Sequence, residues 1–492
     1  MNALNPVLMP AIGAILILAL DLLGRSGRVG ARQRALAGIR LGAVAVLSLM
    51  GVAFALAWGR PLPTGGVLDV DGFGLFGIGF IVVAGALVLA LSLTHFGMAR
   101  SRPAEPIALL LFSWAGAMAA VVTDHLVVLF VALELAGLPM IALIAMDSRR
   151  LSSSESSLKA FFAHVFASLV FAQGLAFLFG ATGRLDLAGL DGVLPDDALA
   201  FEVGLTLLVA ALVARAAVAP FHPWLPDVHE GAPSFVTAHV ATVAQATIFL
   251  VLLRVLHAAP GPLLSEPDSF GARLPSLLIC LAALALIGGH AMALVQVGLR
   301  RLIGWLAVGQ IGFLTLALVE AQGEGAAALL WGLIGSGAAV TGVMATFGSL
   351  SHHERVCENI GDLAGMMQTS PIRAALLGAF LLSLGGVPGT LGFLARFRIL
   401  QGLEHGGHRW ALVLGLFATV LALSAIGRPL LAMMRPADGD ESGSRALSNE
   451  QLVLLVCGAI TLGFGLSPVL GETNMAGQVA IWIDRAVASL RF

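Results

Sequence analysis

The chain has 492 residues, of which 58% are hydrophobic and 11% charged, and its formal net charge is -2. Soluble domains carry about 25% charged residues, so this composition excludes an ordinary soluble enzyme. Nothing in the charge indicates a nucleic-acid partner, and we predict an all-α polytopic membrane protein whose immediate surroundings are the lipid bilayer.

The apolar residues fall in runs of about 18 to 26, long enough to cross a hydrocarbon core of roughly 30 Å. We predict about fourteen transmembrane helices, near residues 6–24, 36–58, 74–95, 105–122, 125–146, 158–181, 200–218, 233–256, 274–297, 301–320, 325–349, 372–400, 409–432 and 451–469. The seventh is predicted to break at Pro220 and the twelfth at Pro388, which follows two glycines, because these residues disrupt helix interiors.

Two broken helices that lie five apart in order predict an internal repeat of about five helices. We therefore expect a single membrane domain over residues 1–492. Its first repeat is predicted at 105–256 and its second at 257–432, with flanking helices at 1–104 and 433–492. No predicted loop is long enough to hold a soluble catalytic domain.

Arginines are concentrated in alternate loops, whereas the opposite loops are acidic or neutral. We predict that the protein lies in the inner (plasma) membrane of the cell. Since basic loops stay in the cytoplasm, both termini are predicted on the periplasmic side of this membrane.

Charged side chains inside predicted spans are costly in lipid and usually mark ion or proton routes. Glu134 lies near the middle of span five and Arg215 lies on span seven. We expect these two side chains to pair, which would keep the carboxylate ionised.

Several other polar residues on the predicted spans are candidate site residues, and the sequence leaves open whether their role is functional or structural. They are Lys159 and His164 on span six, His239 and Gln245 on span eight, His290 on span nine, Gln310 on span ten and Arg396 on span twelve. Histidine titrates near neutral pH, but a lone membrane histidine is more often a packing residue with satisfied hydrogen bonds. Lys159 lies at a helix end and could simply extend to the surface.

The proline-rich segment 220–233 carries His222, Asp227, His229 and Glu230. These residue types can ligate metals, but we expect no metal here. The first three of its four prolines favour a turn, whose polar groups would cap helices and line a cytoplasmic entrance.

This segment, PFHPWLPDVHEGAP, resembles the signature of the antiporter-like membrane subunits of respiratory complex I. Its ending is closest to subunit N of bacterial NADH:quinone oxidoreductase. Similar matches are LELAGLPMIALIA (133–145), SSESSLKAFFAHVFASLVFAQGLAFLFGATG (153–183), RRLIGWLAVGQIGF (300–313) and LLSLGGVPGTLGFLARF (381–397). The resemblance covers essentially the whole chain.

The resemblance implies a subunit that moves protons, driven by NADH oxidation and quinone reduction elsewhere in a complex. In the family, the proton path uses a glutamate on span five, lysines on spans seven, eight and twelve, and usually a histidine on span ten. The matching residues here are Glu134, Arg215, Gln245, Arg396 and Gln310. Arginine effectively never loses its proton and glutamine does not titrate, so most of the proton-handling side chains differ from the family pattern.

We therefore expect a non-redox, membrane-arm subunit of a proton-translocating NADH:quinone oxidoreductase, with an impaired or altered proton path. Its partners would be the other membrane subunits. The chain itself should hold no cofactor, and the resemblance places NADH, FMN, iron–sulfur clusters and quinone in partner subunits. Two alternatives share this scaffold: a subunit of a multisubunit Na+/H+ antiporter or membrane-bound hydrogenase, and a structural subunit that has lost translocation.

Overall fold

The computed structural model describes residues 7–24, 42–44, 46–47, 50–51, 68, 70–98, 103–147, 150–187, 198–258, 270–350, 358–436, 448–467 and 475–490. Within these ranges the regular structure is helical, and three isolated antiparallel bridges join loops. The predicted all-α membrane fold is confirmed.

The described helices are numbered in chain order. They are α1 Met9–Gly24, α2 Gly72–Met98, α3 Ala104–Val122, α4 Leu126–Ile144, α5 Leu151–Thr182, α6 Ala198–Arg215, α7 Trp224–Gly231, α8 Ser234–His239, α9 Gln245–Ala258, α10 Phe270–Val295, α11 Leu299–Ala317, α12 Glu324–Leu350, α13 Met366–Thr369, α14 Pro371–Gly385, α15 Leu391–His405, α16 Arg409–Met434, α17 Ser448–Gly458 and α18 Met475–Ala488.

Ten stretches of the described chain are long and apolar enough to cross a bilayer, with α8 and α9 forming one of them. Three shorter apolar helices, which include α1 and α14, add to these. The predicted span 36–58 lies mostly outside the described residues, so the count of fourteen stays a prediction. The same holds for the two repeats and for the positions of the termini.

The α8–α9 unit, α11 and α12 form the core, since most of their residues are buried, whereas fewer than half of the residues are buried in the membrane-crossing stretches of α5, α10 and α16. Lipid is as apolar as leucine, so membrane helices associate through close packing of small residues. Gly174 of α5 shows this: a Cβ there would lie 3.0 Å from the carbonyl oxygen of Gly204 on α6. These contacts bring the polar residues of neighbouring helices within reach of one another.

The seventh predicted span is broken, but earlier than Pro220. Helix α6 ends at Arg215, and an irregular connection that contains the cis Ala219–Pro220 bond leads to α7. The predicted turn over the proline-rich segment is wrong for Trp224–Gly231, which is helical. Its prolines are compatible with a helix because they precede or occupy the first turn, where a backbone N–H has no helical partner.

The twelfth predicted span is also broken, as expected. Helix α14 ends at Gly385 and α15 begins at Leu391, with Pro388 in the connection. Gly386 has a φ of +77°, a left-handed conformation that glycine adopts without steric cost. The break leaves the last carbonyls of α14 available inside the protein.

Candidate functional site

Glu134 of α4 and Arg215 at the end of α6 form a direct ion pair, in which Arg215 Nη2 donates to Glu134 Oε1. Ser168 of α5 lies between them: its Oγ donates to Glu134 Oε1 at 2.6 Å and accepts from Arg215 Nη2 at 2.8 Å. The contact predicted from the sequence is confirmed. The Arg215 side chain is 3% exposed and that of Glu134 is 23% exposed, so the carboxylate forms the outer edge of the pair.

His164 of α5 completes this cluster, which we call the first centre (Glu134, His164, Ser168 and Arg215). Its Nε2 lies 3.2 Å from Glu134 Oε2 and 3.1 Å from Arg215 Nη1. His164 and Ser168 are four residues apart, so they lie on one face of α5. Sequence reasoning did not select Ser168, although its spacing from His164 was the available signal.

A cavity of about 40 Å³ extends from the first centre towards α9. His164, Arg215 and Gln245 line it together with apolar side chains. A cavity needs at least ~10–15 Å³ to hold one water molecule, so this volume accommodates water. The buried Oε1 of Gln245 has no hydrogen-bond partner among the described residues.

Gln245 directly follows a π-helical turn, Val240–Ala244, between α8 and α9. Turns of this kind are rare and often occur at functional sites. Sequence periodicity did not predict this turn, because one extra residue in a helical turn leaves an apolar run unchanged in composition. The turn nevertheless determines which face of α9 carries the Gln245 amide.

His239 of α8 has a hydrogen-bond pattern typical of a packing residue. Trp114 Nε1 donates to His239 Nδ1 at 3.4 Å, and His239 Nε2 lies 2.9 Å from Ser113 Oγ. Since Ser113 Oγ donates to the Ala136 carbonyl at 2.7 Å, Nε2–H of the neutral ring is the donor to the serine. Both ring nitrogens are satisfied in one tautomer, and His239 lies outside the first centre.

Arg396 of α15 is the basis of a second cluster. It is 3% exposed, and its Nη1 donates to the Gly385 carbonyl at 2.8 Å. Its Nη2 donates to the Leu384 carbonyl and, at 3.2 Å, to Gln310 Oε1. The guanidinium carbon lies 4.3 Å from the ring centroid of Phe313. We call Gln310, Arg396 and the two carbonyls the second centre.

The second centre holds its cation without a carboxylate, since no described acidic side chain forms an ion pair with Arg396. The last carbonyls of a helix carry a partial negative charge, which favours a cation at this end of α14. The break at Pro388 thus provides the oxygens that replace water around the guanidinium.

His290 of α10 lies beside α11 but does not join the second centre by a hydrogen bond. Its Nδ1 donates to the Leu286 carbonyl of its own helix at 2.8 Å, and its Nε2 is buried without a hydrogen-bond partner in the part of the chain that the structure describes. A Cβ on Gly309 would overlap the imidazole, so the glycine is needed for this packing.

Lys159 lies outside both centres, in an exposed ion-pair network. Its Nζ is 2.6 Å from Glu155 and 2.6 Å from Asp227, and Asp227 and Glu230 also pair with Arg301 at 3.2 and 3.3 Å. The network joins α5, α7 and the start of α11. This arrangement supports the structural interpretation of Lys159.

The two histidines of segment 220–233 occupy different environments. His222 is half-buried and lies edge-on to Trp305, with 5.4 Å between the ring centroids. His229 is fully buried, and burial lowers its pKa to about 4, so it is neutral at physiological pH. In the described part of the chain, no three His, Cys, Asp or Glu residues are grouped to hold a metal.

The first and second centres are separate, because no hydrogen bond or ion pair among the described residues joins a member of one to a member of the other. The structure therefore assembles Glu134, His164 and Arg215, places Gln245 across a cavity from them, and groups Gln310 with Arg396. His239, His290 and Lys159 stay apart from both centres.

A protein-family model described as NADH:quinone oxidoreductase/Mrp antiporter, TM, matches residues 123–422. NADH-quinone oxidoreductase subunit N of Deinococcus radiodurans is 31% identical over 444 residues, covering 86% of this chain and 88% of the relative. NADH-quinone oxidoreductase subunit N 2 of Koribacter versatilis is 32% identical over 408 residues, covering 82% and 81%.

Among solved structures, a chain of respiratory complex I from Thermus thermophilus aligns with a TM-score of 0.78 and 27% identity, covering 95% of this chain and 98% of the other. A chain of the Mrp complex from Dietzia sp. aligns with a TM-score of 0.79, covering 100% and 98%. At 19% identity, this second likeness concerns the fold alone.

Proposed function

Since the chain belongs to the NADH:quinone oxidoreductase/Mrp antiporter transmembrane family, we propose that it is an antiporter-like, membrane-arm subunit of a complex-I-type NADH:quinone oxidoreductase. Its role is in redox-coupled proton translocation. The observation that carries this proposal is the first centre, an ion pair at the end of a broken membrane helix beside a cavity large enough for water.

The chain contributes no redox chemistry in this proposal. NADH, FMN, iron–sulfur clusters and quinone belong to partner subunits, and other membrane subunits pack against the exposed apolar helices. The complex lies in the cell (plasma) membrane, with both termini of this chain on the periplasmic side and its arginine-rich loops in the cytoplasm.

The proton path is altered relative to the pattern that the family resemblance implies. Arg215 and Arg396 keep their charge at any relevant pH, and Gln245 and Gln310 stay neutral. Of the five positions carried over from the family, only Glu134 can titrate. The first centre also contains a histidine, whereas the second consists of one arginine, one amide and two backbone carbonyls.

A second candidate function is supported by the second centre. A cation held by neutral oxygens and an aromatic ring stabilises a broken helix without exchanging protons, as expected of a structural or coupling element. A Na+/H+ antiporter subunit is the other alternative, and the genes that neighbour this one would separate it from an oxidoreductase subunit.

The proposal is tested by isolating the chain under gentle detergent extraction and following NADH-driven proton uptake in vesicles that contain the isolated complex. We expect the chain to migrate on a native gel with NADH:quinone oxidoreductase subunits, and the vesicles to take up protons as NADH is oxidised. A stable monomer, or co-purification with antiporter or hydrogenase subunits instead, would contradict the assignment.

A further inference from the structure

We infer that His164 is the proton-exchanging group of the first centre and acts where the family pattern has a titratable lysine. This inference rests on the proposed function, because it assigns a residue to that same proton path. It starts from a substitution: the arginine at position 215 occupies the lysine's place but cannot release its proton.

The geometry around His164 Nε2 gives this atom a partner in either protonation state. Glu134 Oε2, at 3.2 Å, only accepts hydrogen bonds when ionised, whereas Arg215 Nη1, at 3.1 Å, only donates them. When Nε2 carries a proton, it donates to Glu134. When Nε2 has lost the proton, its lone pair accepts from Arg215. His164 Nδ1 lies 3.5 Å from the same Arg215 Nη1, so whenever Nδ1 carries a proton, water in the adjoining cavity must act as its hydrogen-bond acceptor.

Charge in the first centre changes accordingly. Glu134 and Arg215 together are neutral, so the centre has no net charge when His164 is neutral and a charge of one when the imidazole gains a proton. This gain and loss matches what a lysine beside a glutamate would provide. Arg215 holds Glu134 ionised while the neighbouring ring exchanges the proton.

Water next to His164 completes the step. His164 lines the 40 Å³ cavity that reaches Gln245, so a water molecule there gives its proton to Nε2 or takes it back. The charged groups near the ring are Glu134 from α4, Arg215 from α6 and, five residues earlier on α5, Lys159 with its partner Asp227. Gln245, on the far side of the cavity, carries no charge.

His239 provides an internal comparison. Each of its nitrogens has one partner with a fixed role, because Trp114 can only donate and Ser113 already donates to a carbonyl. Gaining a proton at His239 Nδ1 would oppose the Trp114 N–H to a second donor. His164 Nδ1 also faces a donor, Arg215, but its ring borders a cavity large enough for water and its Nε2 faces a carboxylate. These two features select His164 rather than His239 for proton exchange.

The test uses vesicles containing the complete complex, in which NADH oxidation and proton uptake are measured in the same sample. The variants are His164→Gln and, with a shorter amide, His164→Asn. The matched control is His257→Gln, since His257 Nδ1 bonds the Leu253 carbonyl of its own helix, near the end of α9. We expect both His164 variants to move fewer protons per NADH than wild type, and the control to keep the wild-type ratio.

A histidine signal provides a readout that a packing role would not change. In the wild-type complex with isotope-labelled histidine, infrared difference spectra on reduction by NADH should contain a change in imidazole protonation that His164→Asn removes. A wild-type proton ratio in His164→Gln, or no imidazole change in the wild-type complex, would overturn the inference. Wild-type vesicles that oxidise NADH without proton uptake would instead refute the proposed function.

Discussion

The first and second centres both contain a buried arginine beside the end of a broken helix, but they compensate its charge differently. Arg215 pairs with the carboxylate of Glu134, and a histidine and a serine bond the same pair. Arg396 is surrounded by two carbonyls, an amide oxygen and the face of Phe313. A buried arginine therefore occurs in two settings in this protein, in a charge pair with a titratable neighbour and as a fixed charge without one.

The comparison indicates that a broken membrane helix can satisfy a cation with its own backbone. A carboxylate pairs with the cation in the first centre, where the proposed proton exchange at His164 needs a low net charge. Stability measurements can show whether ionic or neutral partners hold each centre, because removing one partner destabilises the protein by a different amount in the two cases.

The largest effect is expected for Arg215→Met, which leaves the partly buried Glu134 carboxylate without its cation. Removing one partner of a buried ion pair typically costs about 3–5 kcal/mol, since the other charge is stranded. We expect the purified complex to melt at a clearly lower temperature, or the subunit to be lost from it.

The control for this prediction is the double variant Glu134→Gln/Arg215→Met, which strands no charge. Residues in direct contact are not additive, so the double variant should be less destabilised than the sum of the two single variants. Additive losses would show that the pair does not stabilise the first centre.

A smaller effect is expected for Arg396→Met, because it leaves neutral carbonyls rather than a charge without a partner. An unsatisfied buried acceptor costs about 1–3 kcal/mol, and removing a buried cation offsets part of this loss. The melting temperature of the complex should fall less than with Arg215→Met. A fall as large as that of Arg215→Met would mean that Arg396 has an ionic partner that the comparison omits.

The smallest effect is expected for the difference between alanine substitutions at Gly386 and at Gly389, both in the connection between α14 and α15. Both have positive φ, so an alanine at either position costs about 1–2 kcal/mol in backbone strain. A Cβ on Gly386 would also lie 2.8 Å from Arg396 Cδ, whereas on Gly389 its nearest neighbour is Leu466 at 3.7 Å. Gly386→Ala should therefore lower the melting temperature more than Gly389→Ala, and equal shifts would show that Arg396 moves freely.

The sequence predicted much of the membrane fold, because runs of apolar residues and the two proline-containing breaks are local signals. It also predicted the pairing of Glu134 with Arg215, since few charges are available inside the membrane. Helix α6 ends at Arg215, three residues before the predicted end of the seventh span at 218, because Pro220 has no N–H for the helical bond to the carbonyl of residue 216.

Apart from Glu134, and from the four-residue spacing that places Ser168 on the His164 face of α5, the sequence gives no signal for the partners of each arginine. His164 and Ser168 reach Glu134 only because α5 packs between α4 and α6, and a sequence without known contacts does not fix that neighbourhood. The role of the α14 carbonyls was equally hidden, because backbone oxygens have no sequence signature. The π-helical turn before Gln245 was missed because one extra residue in a helical turn leaves the composition of an apolar run unchanged.

The most direct test of the account is the number of protons moved per NADH by the wild-type complex and by the triple variant Arg215→Lys, Gln245→Lys and Arg396→Lys. The two complexes are measured separately, in vesicles prepared in the same way. The account predicts a lower ratio in the wild type, because the second centre holds a fixed charge and only the first centre exchanges protons. A wild-type ratio equal to that of the lysine variant and of a lysine-bearing relative would contradict it.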